Sequence, residues 1–157
     1  MVREMAEAKA GVLIVDGEEP SRTSLSCVLT EVGYRVRCAE DGISAWVELR
    51  KEVPGILLSD LQLPGISGIE LLFKVRRRFP EIQTIAMSGS FRGDEAPSGV
   101  AADAFYQKGS SIGSLLRIMG ALAQMERRAP QFTAESDREG GPDAHDRRTE
   151  RTLARAS

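Results

Sequence analysis

The stretch "ILLSDLQLPGISGIELL", residues 56–72, contains the pattern of a buried strand, a loop and the beginning of a helix. Three apolar residues and a serine lead into Asp60, as in a buried strand that ends in charge. Ser67 and Glu70 have the spacing of a capping box, which predicts a helix that begins after Ser67. In open α/β sheets, ligands bind at the carboxyl ends of such strands. The stretch therefore predicts a strand–loop–helix unit with Asp60 at a ligand-binding edge.

Three further apolar stretches repeat this pattern. They are "LIVD", "IQTIAMS" and "AFYQK", and they end in Asp16, Ser88 and Lys108. A fifth stretch, "YRVRC", alternates apolar and basic residues and is typical of a half-exposed edge strand. Segments with helical spacing of apolar residues separate the strands. Strands that alternate with helices predict a parallel sheet covered by helices on both faces.

The predicted helices have recognisable inner faces and ends. Ile43, Trp46 and Val47 form one apolar stripe in residues 41–51, and Ile69, Leu72 and Phe73 are expected to point inward from the helix that follows Ser67. Between the fourth and fifth strands, Pro97 and Gly99 allow only a short helix. The sequence thus predicts a regular α/β fold with a shortened fourth helix.

Composition limits the classes of function. The chain has 157 residues and a formal net charge of −2, which implies no general attraction to nucleic acid or to an anionic membrane. No apolar run approaches the length of a membrane span, and the N-terminus lacks an apolar signal core, so we expect a cytoplasmic protein. Cys27 and Cys38 are expected to be reduced, small hydrophobic residues.

The chain is expected to divide into an N-terminal extension (1–10), one folded domain (11–125) and a charged C-terminal tail (126–157). The tail has almost no large apolar residues, and such a composition cannot bury enough surface to offset its ordering entropy. We expect the tail to be largely disordered. It is electrically balanced, so a nucleic-acid-binding arm is the less favoured interpretation.

The four strand ends carry a coherent set of chemical groups. If the sheet is parallel, Asp16, Asp60, Ser88 and Lys108 all lie at one edge. Two close carboxylates favour a hard divalent cation such as Mg²⁺. An aspartate beside such a cation can attack a phosphoryl donor, and Lys108 and Ser88 could then contact the transferred oxygens. Gly89 leaves room for the phosphoryl group.

Residues 11–124 resemble the receiver domain of two-component response regulators. "ILLSDLQLPGISGIELL" carries the most specific part of the resemblance, and "LIVDGEEPSR", "IAMSGS" and "AFYQKGS" are similar to its other motifs. The resemblance implies a flavodoxin-like (βα)5 fold, doubly wound, with strand order 2-1-3-4-5. It also implies Asp60 as phosphoacceptor, Lys108 and Ser88 as phosphoryl contacts, and Ser88 and Phe105 as switch residues.

The same resemblance implies a Mg²⁺ site. Its ligands would be Asp16 and Asp60, with Glu18 and the backbone carbonyl of Gln62 as further candidates. Gly17 replaces the second of two adjacent acids that the family usually has after the first strand. We therefore expect weak Mg²⁺ binding.

Two other departures from the family concern the backbone. Gly109 stands where the family has a proline after its lysine in a cis peptide, so a trans bond is expected. The shortened fourth helix belongs to the face that changes on phosphorylation in the family, and we expect that face to be either mobile or specialised for a different partner.

Three functions remain open at this point. The first is a single-domain response regulator, not an enzyme, that is phosphorylated by a sensor histidine kinase or phosphotransfer protein and signals by contact with an unidentified downstream protein, without binding DNA or membrane directly. The second is a phosphorylation-independent pseudo-receiver that acts as a protein-binding module. The third, a flavin carrier or a small hydrolase, lacks a supporting phosphate or flavin loop. A homodimer is also open.

Overall fold

The computed structural model describes residues 10–90 and 97–128, with side chains described as far as residue 125. The described residues form five strands: β1 (Gly11–Val15), β2 (Arg35–Ala39), β3 (Ile56–Asp60), β4 (Gln83–Ser88) and β5 (Ala104–Gln107). They also form four helices: α1 (Glu19–Val32), α2 (Gly42–Lys51), α3 (Gly68–Arg78) and α4 (Ile112–Arg128).

The strands form one parallel sheet in the order β2-β1-β3-β4-β5. This order confirms the predicted doubly wound α/β fold. β1 and β3 are neighbours at the centre of the sheet, where Val15 lies opposite Ser59. The carboxyl ends of these two strands, which carry Asp16 and Asp60, are therefore adjacent. β2 lies at an edge and is half-exposed, as its alternating sequence predicts.

Local sequence signals place several helix ends. The Ser67 hydroxyl accepts a hydrogen bond from the N–H of Glu70 at 3.2 Å, which is one half of the predicted capping box. Gly33 ends α1 in the left-handed conformation at φ 113°, where a side chain would be strained. Pro20 lies in the first turn of the same helix, where its missing N–H costs no hydrogen bond.

Apolar residues cover both faces of the sheet. On one face, Leu13 and Leu57 belong to a buried cluster with Leu49 of α2 and Leu72 of α3. Ile14 and Leu58 alternate with them along the strands and point to the opposite face. The chain runs from β1 through α1 to the edge strand β2, and then in the other direction from β2 through α2 to β3. Because crossovers between parallel strands are right-handed, these opposite directions put α1 and α2 on opposite faces of the sheet.

Two helices present apolar side chains differently from the prediction. In α3, Leu72 is buried as expected, but Ile69 and Phe73 are 46% and 54% exposed. In α2, Ile43 and Val47 are 64% and 49% exposed. The inward faces are formed instead by Ala45 and Leu49 in α2 and by Leu71, Leu72 and Val75 in α3. Each helix has two apolar faces, and periodicity alone could not tell which of them meets the sheet.

The expectation for the two cysteines was also partly wrong. Cys27 and Cys38 lie in α1 and β2 as free thiols, as predicted, but both are exposed rather than part of the core. Each lies in an element whose inward positions are taken by other residues, such as Leu25 and Ala39.

The connection between β4 and β5 contains no helix in its described residues, 89–90 and 97–103. Residues 91–96 of this connection, where most of a shortened fourth helix was expected, lie outside the described part of the chain. The N-terminal extension up to residue 9 and the tail from residue 129 lie outside it as well. Among the described residues, none of the helices has the length and apolar character needed to cross a membrane.

The chain divides into two units, Met1–Gly120 and Ala121–Ser157. The sheet and all residues discussed below as a site belong to the first unit. Of the second unit, only the last part of α4 is described.

Candidate functional site

A cation and two buried carboxylates meet at the carboxyl edge of the sheet. Asp16 and Asp60 are 0% and 5% exposed. The Lys108 ammonium lies 2.9 Å from Oδ2 of Asp60 and 3.2 Å from Oδ1 of Asp16. The structure thus brings together three of the predicted site residues from the ends of three different strands.

The backbone holds Asp16 in place. Its N–H donates to the carbonyl of Ala39 at 3.1 Å, which continues the β1–β2 pairing by one residue. Its Oδ1 accepts a hydrogen bond from the N–H of Glu18 at 2.9 Å. The Arg22 guanidinium donates to its carbonyl oxygen at 2.7 Å. These contacts orient the carboxylate toward the sheet edge and leave its Oδ2 atom for other partners.

Asp60 is held by the loop that follows it. Its Oδ1 accepts a hydrogen bond from the N–H of Gln62 at 2.9 Å, while Oδ2 faces Lys108. Gly68, the first residue of α3, packs directly against the backbone of Asp60: a Cβ atom at position 68 would lie 1.8 Å from the Asp60 carbonyl oxygen. Sequence reasoning missed this positioning role of Gly68. A glycine at the start of a helix, where a better helix former is expected, was the available signal.

Lys108 is charged throughout the neutral pH range. Burial lowers the pKa of its ammonium, but hydrogen bonds and charge interactions with Asp60 and Asp16 outweigh burial and raise the pKa above its usual value. The site therefore holds a permanent cation between two carboxylates.

Glu18 adds a third carboxylate. Its side chain is 75% exposed, yet its Oε1 lies 3.4 Å from the Lys108 ammonium. One carboxylate oxygen from each of Asp16, Glu18 and Asp60 lies within 4.8 Å of the others. The sequence left open whether Glu18 turns toward the site, and the structure shows that it does.

The donor set fits a hard divalent cation. Oδ2 of Asp16 is buried and has no hydrogen-bond partner among the described residues. The Lys108 ammonium lies 3.1 Å from this atom, but the contact is an ion pair without hydrogen-bond geometry. A buried carboxylate oxygen without a donor, beside two other carboxylates, has the chemistry of a Mg²⁺ ligand. Gly17 contributes no side chain to the set.

Ser88 is buried at the end of β4, and its position leaves space beside it. Its hydroxyl accepts a hydrogen bond from the N–H of Ser90 at 3.1 Å, and its carbonyl accepts one from the N–H of Lys108 at 3.1 Å. A Cβ atom at Gly89 would meet nothing within 4 Å. The use of this open space by a phosphoryl group stays a prediction.

The remaining candidate residues lie around this centre. Phe105 is 2% exposed and belongs to the buried cluster on the α2–α3 face of the sheet, so it is a core residue in this conformation. Gln62 contributes its N–H to Asp60, and its side-chain amide lies 3.4 Å from the Ser90 hydroxyl. A ligand role for the Gln62 carbonyl and a switch role for Phe105 stay predictions.

The Lys108–Gly109 bond is trans, as expected from the missing proline, because the described residues contain no cis peptide bond. Gly109 has φ 91°, a conformation that disfavours side chains. Lys108 nevertheless reaches both aspartates, so the absence of the proline does not move its ammonium away from the site.

A family model described as the response regulator receiver domain matches residues 12–115 of the chain. Among curated proteins, the chain is 34% identical over 103 residues to the hydrogenase transcriptional regulatory protein HoxA of Cupriavidus necator. The aligned region covers 66% of this chain and 21% of HoxA. It is 28% identical over 127 residues to the response regulator MprA of Mycobacterium bovis, covering 80% of this chain and 54% of MprA. The chain therefore spans about a fifth of the length of HoxA and about half of the length of MprA.

Solved structures show the same similarity. The response regulator TrrA of Thermotoga maritima, in complex with Mg²⁺ and BeF, superposes with a TM-score of 0.67 at 26% identity, covering 73% of this chain and 99% of TrrA. A CheY-like receiver domain protein of Methanospirillum hungatei has a TM-score of 0.67 at 25% identity, covering 76% of this chain and 98% of that protein.

Proposed function

The chain belongs to the response regulator receiver domain family, and from this premise we propose that Asp60 accepts a phosphoryl group from a sensor histidine kinase or a phosphotransfer protein. Receiver domains are signalling modules of two-component systems that interact with such proteins and bind Mg²⁺ at an acidic cluster. The observation that carries the proposal is the Lys108 ammonium 2.9 Å from Asp60 and 3.2 Å from Asp16.

The proposed step is the transfer of a phosphoryl group to a carboxylate. An oxygen of Asp60 attacks the phosphorus atom of a phosphohistidine. A P–O bond to Asp60 forms as the P–N bond breaks, and the leaving imidazole keeps the electron pair. The transferred group carries negative charge on its equatorial oxygens, so a nearby cation stabilises the transition state. Lys108 is that cation, and its raised pKa keeps it protonated.

Ser88 and the open space at Gly89 complete the proposed site. The Ser88 hydroxyl now accepts a hydrogen bond from the N–H of Ser90. It retains its own proton and can donate it to a phosphoryl oxygen once one is present. Each such charge-assisted hydrogen bond contributes about 1.5–3 kcal/mol. A conformational change at Ser88, accompanied by Phe105, would then shift the domain between two pre-existing surfaces.

Asp16, Asp60 and Glu18 are the residues that would hold Mg²⁺, together with the carbonyl of Gln62. When bound, the ion neutralises charge on the phosphoryl oxygens during transfer. We propose that binding is weak, because Gly17 removes one carboxylate that the family usually supplies and Glu18 is 75% exposed.

The proposed output is contact with another protein, in the cytoplasm and without enzymatic activity of the chain itself. The domain limits 11–125, the status of a single-domain regulator and the homodimer are parts of this proposal. HoxA is named a transcriptional regulatory protein, so transcription is the alternative output of a longer protein that contains this domain.

Incubation with Mg²⁺ and radiolabelled acetyl phosphate tests the proposal. We expect labelling of the wild type that is acid-stable and base-labile, as for an acyl phosphate, and none in Asp60→Asn. Asp41→Asn is the matched control, because the Asp41 side chain caps α2 and asparagine caps equally well. Unchanged labelling of Asp60→Asn would exclude Asp60 as phosphoacceptor.

Gly17 also supports a second candidate, a receiver-like binding module that acts without phosphorylation. In this case the Lys108 cation would serve mainly to neutralise Asp16 and Asp60. Mg²⁺ would not bind at millimolar concentrations, acetyl phosphate would not label the protein, and partner binding would be the same for the wild type and Asp60→Asn.

A further inference from the structure

An apolar groove separates α2 from α3 on the surface of the protein. It has a volume of about 700 Å³ and is lined by residues of both helices and by Ile66 of the loop before α3. Trp46, Ile66 and Leu71 form its floor, and Ile43, Val47 and Phe73 line its walls. The wall residues are 64%, 49% and 54% exposed, so the groove presents large apolar side chains to solvent. Contiguous apolar patches of this kind mark interaction sites on soluble proteins.

Side-chain and backbone contacts support both ends of the groove. Ring centroids of Trp46 and Phe79 lie 5.7 Å apart in an edge-to-face arrangement, so the indole packs against the residue that follows α3. At the other end, a Cβ atom at Gly42 would lie 3.0 Å from Cβ of Ile66, so the start of α2 contacts the loop before α3 closely. The groove follows α3 from Glu70 to Arg78, which is about 12 Å at 1.5 Å per residue and enough for about two turns of a partner helix.

One end of the groove is positively charged. Arg77 and Arg78 line it and stack on the rings of Phe73 and Phe79 at 5.8 Å and 5.4 Å. Neither arginine forms an ion pair with a carboxylate in the described part of the chain. Lys74 also lines the groove and lies 3.6 Å from Glu70, in a pair that is about half exposed. The uncompensated charge at this end is therefore positive.

We infer that this groove binds an amphipathic helix of a partner protein, with apolar side chains at helical spacing and acidic residues at the end that lies over Arg77 and Arg78. Apolar anchors fill the space between Val47 and Phe73, in the manner of helix-in-groove recognition. Carboxylates on the partner form bidentate pairs with the two guanidinium groups. None of the residues that line the groove is a proposed site residue, so this inference does not depend on phosphorylation of Asp60.

A second copy of this chain is a poorer occupant. In a two-fold symmetric pair the same surface lies on both subunits. Among the described residues that line the groove, Glu70 is the one carboxylate and it pairs with Lys74, so two grooves facing each other would bring together an excess of cations. Charge complementarity therefore favours a different, acidic partner.

Trp46 is the single tryptophan of the chain and lines the groove, so its fluorescence reports on occupancy. The probe is a synthetic helical peptide with leucines three and four residues apart and glutamates at one end. We expect a saturable change in Trp46 emission. Replacing the glutamates of the peptide by lysines should weaken binding roughly tenfold or more, because attraction to Arg77 and Arg78 becomes repulsion.

Matched variants locate the binding site. Val47→Ser should weaken peptide binding roughly tenfold, whereas Val53→Ser, which changes a side chain of similar exposure outside the groove, should not. Phe73→Ser provides a second test on α3. Circular dichroism and urea unfolding check that each variant is folded.

Two double variants with the same change of charge complete the test. The double variant Arg77→Glu, Arg78→Glu should lose the preference for the acidic peptide, and the double variant Arg35→Glu, Arg117→Glu should keep it. Three results would overturn the inference: no saturable change in emission, equal affinity for acidic and basic peptides, or equal effects of Val47→Ser and Val53→Ser. A dimer of the wild type that Phe73→Ser dissociates, or binding to anionic vesicles but not to the peptide, would also overturn it.

Discussion

The ammonium of Lys108 lies 2.9 Å from Oδ2 of Asp60, although the two residues are 48 positions apart in the chain. The contact exists because β3 and β5 are parallel strands of one sheet and their carboxyl ends point the same way. The same ammonium lies 3.2 Å from Oδ1 of Asp16. Lys108 is thus both the proposed phosphoryl contact and the cation that permits two aspartates to be buried side by side.

Removal of this cation should destabilise the fold. In Lys108→Met, Asp16 and Asp60 would face each other without a neutralising charge, and loss of one partner of a buried ion pair costs about 3 kcal/mol or more. Urea unfolding at pH 7 with EDTA present measures the difference. Mg²⁺ should restore part of the stability of the variant. A loss of less than about 1 kcal/mol would mean that the pair is effectively solvated.

The contribution of Lys108 to stability should disappear at alkaline pH. Its pKa is raised in the folded state, so the stabilisation is fully present below the unfolded pKa of about 10.4 and is lost as pH rises through the folded value. The difference in unfolding free energy between wild type and Lys108→Met should therefore narrow above about pH 10. Burial also raises the pKa values of Tyr34 and Tyr106, but their ionisation affects both proteins and cancels in the difference.

Gly17→Asp should strengthen Mg²⁺ binding. A Cβ atom at position 17 would meet Pro64 at 3.5 Å and the Glu40 carbonyl at 3.7 Å, which are ordinary contacts, so the side chain fits. A fourth carboxylate beside Asp16 should lower the Kd roughly tenfold, since charge count tunes such sites. Thermal unfolding as a function of Mg²⁺ concentration measures the change.

Gly17→Asn is the control for this substitution, because it has the same shape without the charge. Without Mg²⁺, the aspartate variant should be less stable than the asparagine variant, since it adds a like charge to an acidic cluster. Equal Mg²⁺ responses of the two variants would show that the carboxylate at position 17 does not reach the ion.

Gly68→Ala should disrupt the site through the backbone. The new Cβ atom would overlap the Asp60 carbonyl oxygen at 1.8 Å and Cα of Leu61 at 2.7 Å. We expect a loss of about 3 kcal/mol or more, despite the gain of up to about 1 kcal/mol in helix propensity from alanine. Chemical denaturation measures the loss, and acetyl phosphate labelling reports on Asp60.

Gly120→Ala in α4 is the matched control, because nothing lies within 4 Å of a Cβ atom there. This variant should be as stable as the wild type or more stable by up to about 1 kcal/mol. Similar losses in both glycine variants would show that the contact with Asp60 is not the cause.

The sequence alone determined the sheet and the centre of the site. Asp16, Asp60, Ser88 and Lys108 each follow an apolar stretch, and the geometry of parallel strands requires that such ends share one edge. The local signal at Ser67 also predicted the start of a helix, because capping depends on neighbouring residues only. Expectations of this kind involve either short-range chemistry or a rule of topology.

The tertiary structure alone decided which way individual side chains point. The sequence offered Glu18 only as a candidate, and the structure places its Oε1 3.4 Å from the ammonium of Lys108, a residue 90 positions away. Ile69 and Phe73 have helical apolar spacing, yet they face solvent, because Leu71, Leu72 and Val75 meet the sheet instead. Position 68 requires glycine because the backbone of Asp60 lies directly against it. Such features depend on contacts between distant parts of the chain, and periodicity within one helix carries no information about them.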